Sequence, residues 1–403
     1  MEISPSKTVS SLPDQEFSVI INKVNELTNK GIDVINVGQG NPDLPTPPHI
    51  VNSLIEAANK SGFHKYSPFR GHKFLKEAIS KFYKREYDVE IDPDKEVAIF
   101  NGGKAALYAV SQSLLNPDDV ALIPDPGYPE YLSGIMMARA HPYHFKVTPT
   151  NNYLPVYKDI DQEVLEQAKL LYLNYPNNPT GATANREFFN ETVKVAEENN
   201  ICVLHDFAYA GFGFDKQKPI SFLSSPGAKG VGIEIYTLSK TYNMAGWRVA
   251  FAVGNERVIQ AINAFQDHIF VSLFGAVQQA AATALESDQS CVKDLNSVYE
   301  SRAEHFIQAC QRELGWEIQK PQGTFYVWAK IPHGFDSFTF TELLLKEAHI
   351  AVTPGEVFGS NAKDYIRISM VTSIERLDEL VKRIKLLNIN FSSINIEKVP
   401  ETI

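Results

Sequence analysis

Lys240 stands in "IYTLSKTYNMAGWRVA", Ile235 to Ala250, behind Thr237 and Ser239 and eight residues ahead of Arg248. A guanidinium and hydroxyls at this spacing could hold an anion, and the amine could serve as nucleophile or base. A solvated lysine at a strand end is the ordinary fate of a lone Lys, so the chain's other polar residues must be weighed with it. "FNGGKAAL" sets Gly102 and Gly103 before a helix. Free N–H groups there could hold a phosphate, or the glycines could simply make a tight turn. "HDFAY" puts Asp206 at the end of an apolar strand, with the Tyr209 phenol three residues on. A carboxylate there needs a cation or N–H partner, from a ligand or from an internal salt bridge. "YPNNPTG" offers the amides of Asn177 and Asn178, and "DPGYPEY" offers the flat face of Tyr128; a plain loop and a core ring are the alternatives.

These residues need elements to bring them together. From about residue 45 to 285, apolar strand-like runs alternate with amphipathic helical ones: "EVAIF", "DVALIPD", "KLLYLNY" and "ICVLHD" each end at one of the polar segments above. Such alternation predicts an α/β fold with a mostly parallel central sheet flanked by helices. Ligands then sit beyond the carboxyl ends of the strands. Beyond 286 the pattern becomes α+β. "CVKDLNSVYESRAEHFIQACQREL" reads as a long helix, "TFYVWAKI" and "DYIRISMV" as strands. "SIERLDELVKRIKLL" reads as a closing helix with a capping box from Thr372 to Glu375. The expected division is a large domain, 45–285, and a smaller domain from 1–44 and 286–403.

Bulk properties narrow the function. The 403 residues carry a net charge of −10 with no long basic run, which argues against nucleic-acid and anionic-membrane partners. Three cysteines without metal spacing point to reduced thiols in the cytoplasm and to no metal site. The N-terminal stretch has no signal-peptide pattern, and no apolar run is long enough to span a bilayer.

A phosphate site, a buried carboxylate, a phenol, an amide, a ring face and a lysine together suit pyridoxal 5'-phosphate. From about Val37 to the last helix, the chain resembles the class I/II aminotransferases of the fold type I pyridoxal-phosphate superfamily. "SKTYNMAGWR", "NNPTG", "DFAY" and "PGYP" carry the resemblance, in family order and spacing. The resemblance implies that Lys240 joins the cofactor aldehyde and later moves protons. Asp206 would face the ring nitrogen, Tyr209 and Asn178 the ring oxygen, and Tyr128 the ring. Thr237, Ser239, Arg248 and the Gly103–Lys104 backbone would hold the phosphate, helped by Tyr66 of "HKYSPFRG" reaching in from a second subunit. Arg367 of "DYIRIS" and Gly40 of "VGQGNPD" would hold the substrate α-carboxylate. A homodimer with shared sites follows, acting on amino acids and 2-oxo acids. The same motif puts a cis bond at Asn178–Pro179.

Other chemistries are open on this scaffold: a C–S β-lyase, or a sensor domain in a transcription regulator, for which the first forty or so residues leave little room. As to substrate, aspartate-type members carry an arginine where this chain reads "AINAFQDHIF", without Arg or Lys. The fuller resemblance is to the methionine-salvage aminotransferases of bacilli, which implies 4-methylthio-2-oxobutanoate as acceptor. An aspartate-type or broad activity is the alternative.

Overall fold

The computed structural model describes residues 3–13, 15–270, 272–391 and 394. The strands are β1 (Ile35–Asn36), β2 (Val97–Phe100), β3 (Val120–Asp125), β4 (His141–Lys146), β5 (Ala168–Leu173), β6 (Cys202–Asp206), β7 (Gly232–Thr237), β8 (Ala250–Gly254), β9 (Tyr326–Lys330), β10 (Ile350–Ala351), β11 (Thr353–Pro354) and β12 (Tyr365–Ser369). A seven-stranded sheet has the order β2-β8-β7-β6-β5-β3-β4. Only β8 runs against its neighbours, β2 and β7. The inner strands are apolar on both faces because helices cover both, so their sequences show no alternation. Val203, Tyr236 and Phe251 pack into one cluster, Leu204, Ile233 and Ile235 into another. The edge strand β4, "HPYHFK", is largely exposed, and its lack of an apolar rhythm hid it from the sequence reading.

The carboxyl ends of β5, β6 and β7 lead directly into Asn174–Gly181, Asp206–Tyr209 and Thr237–Lys240, so parallel pairing gathers the three polar segments at one sheet edge. A three-stranded sheet, β11-β12-β9, carries Arg367 on its middle strand. The short β1 pairs in parallel with β10, tying the N-terminal segment to the C-terminal part of the chain. Ile35 and Val37 share a buried cluster with Trp316, Val327, Ile366 and Leu380. The long helix is Ser290–Leu314, closed by Gly315 at φ 65°, in the left-handed region that glycine fills without strain. The last helix, Ile374–Leu386, is capped one residue later than expected. Ser373, not Thr372, accepts from the Arg376 N–H, because it is the residue whose extended backbone turns its hydroxyl onto the first turn. The Asn178–Pro179 peptide is cis, as are Asp125–Pro126 and Tyr175–Pro176. The end of the expected small domain, 395–403, lies outside the described residues.

Candidate active site

A cavity of about 390 Å³ opens at the ends of β5, β6 and β7. Lys240 enters it from the turn Leu238–Thr241, whose start is fixed by the Thr237 hydroxyl accepting from the Ser239 N–H. Its Nζ donates to the Gly40 carbonyl at 2.5 Å. Burial, then the nearby Arg367 and Arg248, lowers the Lys240 amine to about 8. Desolvation and like charge both disfavour the ammonium, as a nucleophile or proton carrier requires.

Around Lys240 lies a cradle for an anion. The Thr237 and Ser239 hydroxyls, 2.9 Å apart, are both buried. The helix Gly103–Leu114 begins beside them, and its first N–H groups have no carbonyl within the helix. Gly102 sits at φ +88°, and a Cβ there would run into the Arg248 guanidinium; glycine is needed for both reasons. Arg248 donates to the Ala245 carbonyl at 2.8 Å and lines the same space. The Lys104 side chain turns away to Glu130 at 2.8 Å, leaving only its backbone for the cradle.

Opposite the cradle is Asp206, 6% exposed. Burial pushes its carboxyl up to about 6, against the Tyr131 hydroxyl, His205 and the Ala208 N–H, which pull it down. Tyr131 donates to it at 3.0 Å. No cation forms a salt bridge with Asp206 among the described residues, so a positively charged ligand atom would meet an unmatched carboxylate. Asn174 donates to the Asp206 carbonyl at 2.7 Å and accepts from the Asn178 N–H at 2.8 Å. Tyr209 shares a 3.0 Å hydrogen bond with Tyr326, and burial holds its phenol well above its ordinary value. Tyr128 and Asn178 line the cavity, whereas Asn177 turns inward, donating to the Asn174 carbonyl and accepting from Thr180.

Arg367 closes the far wall. It is 2% exposed and donates to the Asn178 amide oxygen and to the Gly38 carbonyl, both at 2.8 Å. The rings of Tyr326, Phe358 and Phe17 surround it at 4.2, 4.8 and 5.4 Å. Among the described residues no carboxylate pairs with it, and its Nε has no partner. A buried guanidinium without a carboxylate partner could receive one from a ligand. Gly40 lies beside Arg367's wall, and a Cβ there would run into the Tyr326 hydroxyl.

These observations fit pyridoxal phosphate: anion cradle, lone buried carboxylate and lysine of lowered pKa all face one cavity. Every expected site residue lines it except Gly102, Asn177 and Tyr66. Tyr66 is 92% exposed and lies outside it. Sequence reasoning missed Asn174, Tyr131, Tyr326, Phe17 and Ile21. Tyr131 follows Tyr128 by three residues, a helical spacing that could have pointed to it. Phe17 and Ile21 carry no local signal.

The family model described as "Aminotransferase class I and II" matches residues 32–384. Transaminase BacF of Bacillus subtilis (strain 168) is 57% identical, over 98% of this chain and 99% of its own. The L-glutamine--4-(methylsulfanyl)-2-oxobutanoate aminotransferase of the same strain is 53% identical, over 99% and 100%. A solved structure of substrate-bound BacF, from the same species, superposes with a TM-score of 0.95 at 56% identity, covering 98% of this chain and 100% of that one.

Proposed function

The chain belongs to the class I and II aminotransferases and is a pyridoxal-phosphate-dependent transaminase; from that premise we propose that its acceptors are 2-oxo acids with uncharged side chains, 4-(methylsulfanyl)-2-oxobutanoate foremost. One observation carries this reading: the rings of Phe17 and Tyr326 lie beside Arg367, and Ile21 lines the same cavity, with no cation of the described residues free among them. The cavity's other cations among the described residues are Lys104, Lys240 and Arg248, each committed elsewhere. A distal carboxylate would meet aromatic rings and neutral side chains and no uncommitted cation of the described residues. A thioether packs well against aromatic rings. The relative that is 53% identical is named for that oxo acid, which supports the same reading.

When bound, the cofactor supplies an aldehyde and an electron-accepting ring. Thr237, Ser239, Arg248 and the N–H groups of Gly103 and Lys104 would hold its phosphate. Asp206 would keep the ring nitrogen protonated, Tyr209 and Asn178 would meet the ring oxygen, and Tyr128 would cover a face. Arg367 grips the substrate α-carboxylate, with Gly40 beside it, and so turns the Cα–H toward Lys240. Lys240 would take that proton from Cα and deliver it to the cofactor's C4' carbon. Kinetics should be ping-pong.

The division into a large domain, 45–285, and a small domain, 1–44 and 286–403, belongs to the same proposal. So does the homodimer, which the exposed rings of Tyr66, Phe69 and Phe274 and the exposed Ile269 support. No described helix is long and apolar enough to cross a membrane, and three free cysteines favour the cytoplasm.

The test compares kcat/KM for 4-(methylsulfanyl)-2-oxobutanoate, phenylpyruvate and oxaloacetate with one fixed donor. Both apolar acids should turn over, because hydrophobic pockets discriminate weakly, by roughly 1–3 kcal/mol per methylene. Oxaloacetate favoured tenfold, about 1.4 kcal/mol, would replace this reading with the aspartate type. Pyruvate, ammonia and thiol released from a cysteine conjugate without added oxo acid would reveal β-lyase chemistry.

A further inference from the structure

His205 and Glu234 face each other across the parallel pair β6 and β7, with no side-chain exposure on either. The roles above do not use Glu234, and His205 entered only as a neighbour that lowers the Asp206 carboxyl. His205 Nδ1 lies 2.7 Å from Glu234 Oε1. The Glu234 carboxylate also accepts from the Ser221 hydroxyl and the Phe222 N–H, both at 2.6 Å. Three donors on one buried carboxylate keep it satisfied and fix the tilt of the imidazole. The rings of Phe189 and Phe207, at 5.2 and 5.0 Å, hem it in from the sides.

The other imidazole nitrogen meets the backbone of Tyr175. Nε2 lies 3.3 Å from the Tyr175 N–H and 3.1 Å from its carbonyl oxygen. Tyr175 sits in the loop that follows β5, between Asn174 and Asn178. Asn174 binds the Asp206 carbonyl and the Asn178 N–H, and Asn178 takes the Arg367 guanidinium. The imidazole thus stands at the root of a hydrogen-bonded path that ends on the group facing the substrate carboxylate.

We propose that His205, braced by Glu234, is a positioning residue: through the Tyr175 backbone it holds the 174–178 loop, and with it Asn178 and Arg367, in the geometry that receives the α-carboxylate. The proposal rests on the transaminase reading for its substrate, but its structural half does not. A residue that tunes carboxylate binding acts on the ground state and transition state alike, so its loss raises KM more than it lowers kcat.

His205→Phe removes both hydrogen bonds and keeps a ring among Phe189 and Phe207. In the holoenzyme it should raise KM for the amino donor about tenfold while kcat stays within about threefold. His205→Gln, which keeps a donor and an acceptor, should hold KM within about threefold of the parent. In the cofactor-free chain, H205F should speed amide exchange of the 174–180 peptide about tenfold and leave the β3 and β5 peptides unchanged. Unchanged KM in a folded H205F chain, or faster exchange spread evenly over the sheet, would overturn the proposal and leave the pair a packing element. If H205F does not fold, His205→Met, a flexible apolar filler that likewise removes both hydrogen bonds, carries the same measurements, and unchanged exchange of the loop in H205M overturns the proposal. A parent chain that fails to transaminate would sink the functional reading alone, since the exchange result stands without turnover.

Discussion

Lys240 and Asp206 are both held away from their ordinary ionisation by burial, in opposite senses. Asp206 sits at about 6 instead of 3.8. The folded chain therefore keeps a proton that the unfolded chain has released. The stability this lends is present below 3.8 and is lost as pH rises through about 6. Lys240 sits at about 8 instead of 10.5, so its contribution is present above 10.5 and lost as pH falls through about 8. Near pH 7.5 both groups cost the cofactor-free chain stability. Asp206→Asn, neutral and of equal size, should raise its unfolding free energy there by about 2–3 kcal/mol, read by denaturant unfolding, and should abolish transamination. Lys240→Ala should cut kcat at least about a hundredfold, the scale of losing a positioned base. Borohydride treatment of the parent, followed by peptide mapping, should find the fixed cofactor on Lys240; another lysine would remove the assignment. The rate at which the parent captures cofactor should climb between pH 7 and 9, as the amine loses its proton near 8.

The helix Glu16–Asn29 is mostly exposed and buries only Val24 among its own residues. Its worth lies in Phe17 and Ile21, which reach the cavity wall, Phe17 packing edge-on to Phe358 at 6.1 Å. Phe17→Ala should raise KM for apolar oxo acids about tenfold or more, the scale of removing one aromatic wall, with little change for alanine as donor. An equal rise for alanine would mean that the helix only braces Arg367. Legibility differed by element for physical reasons. β5, β6 and β7 were readable because strands buried on both faces are continuous apolar runs. β4 was not, because an exposed edge strand tolerates "HPYHFK". The Ser373 cap was misplaced by one residue because adjacent hydroxyls, Thr372 and Ser373, compete for one helix start and only backbone geometry decides between them.

The single chain leaves Tyr66 outside its own cavity, and Phe69, Ile269 and Phe274 also stand exposed. In the homodimer proposed above, a second copy would bury this apolar surface and bring Tyr66 to the neighbour's cradle. Co-expressed Tyr66→Ala and Lys240→Ala chains, each inactive or nearly so alone, should regain measurable transamination in purified heterodimers, since one of the two mixed sites is then intact. Verified heterodimers without recovery would count against shared sites.

Read alone, the sequence determined the family, the buried strands β5, β6 and β7, and a set of polar residues of which most line one cavity. Lys240, Asp206, Tyr209, Asn178 and Arg248 lie in short runs at strand ends, where local spacing and residue chemistry announce themselves. Tertiary structure decided what depends on distant segments meeting. Asn177 faces its own loop while Asn178 faces Arg367, a choice made by the fold of 174–178 and not by two identical side chains. Phe17 reaches Arg367 across 350 positions of chain. The His205–Glu234 pair exists only because β6 and β7 align those two residues in register. A residue's type is written in the chain, but its partner is chosen by packing, and the low exposure that shifts Lys240 and Asp206 arises only when the whole core closes over them.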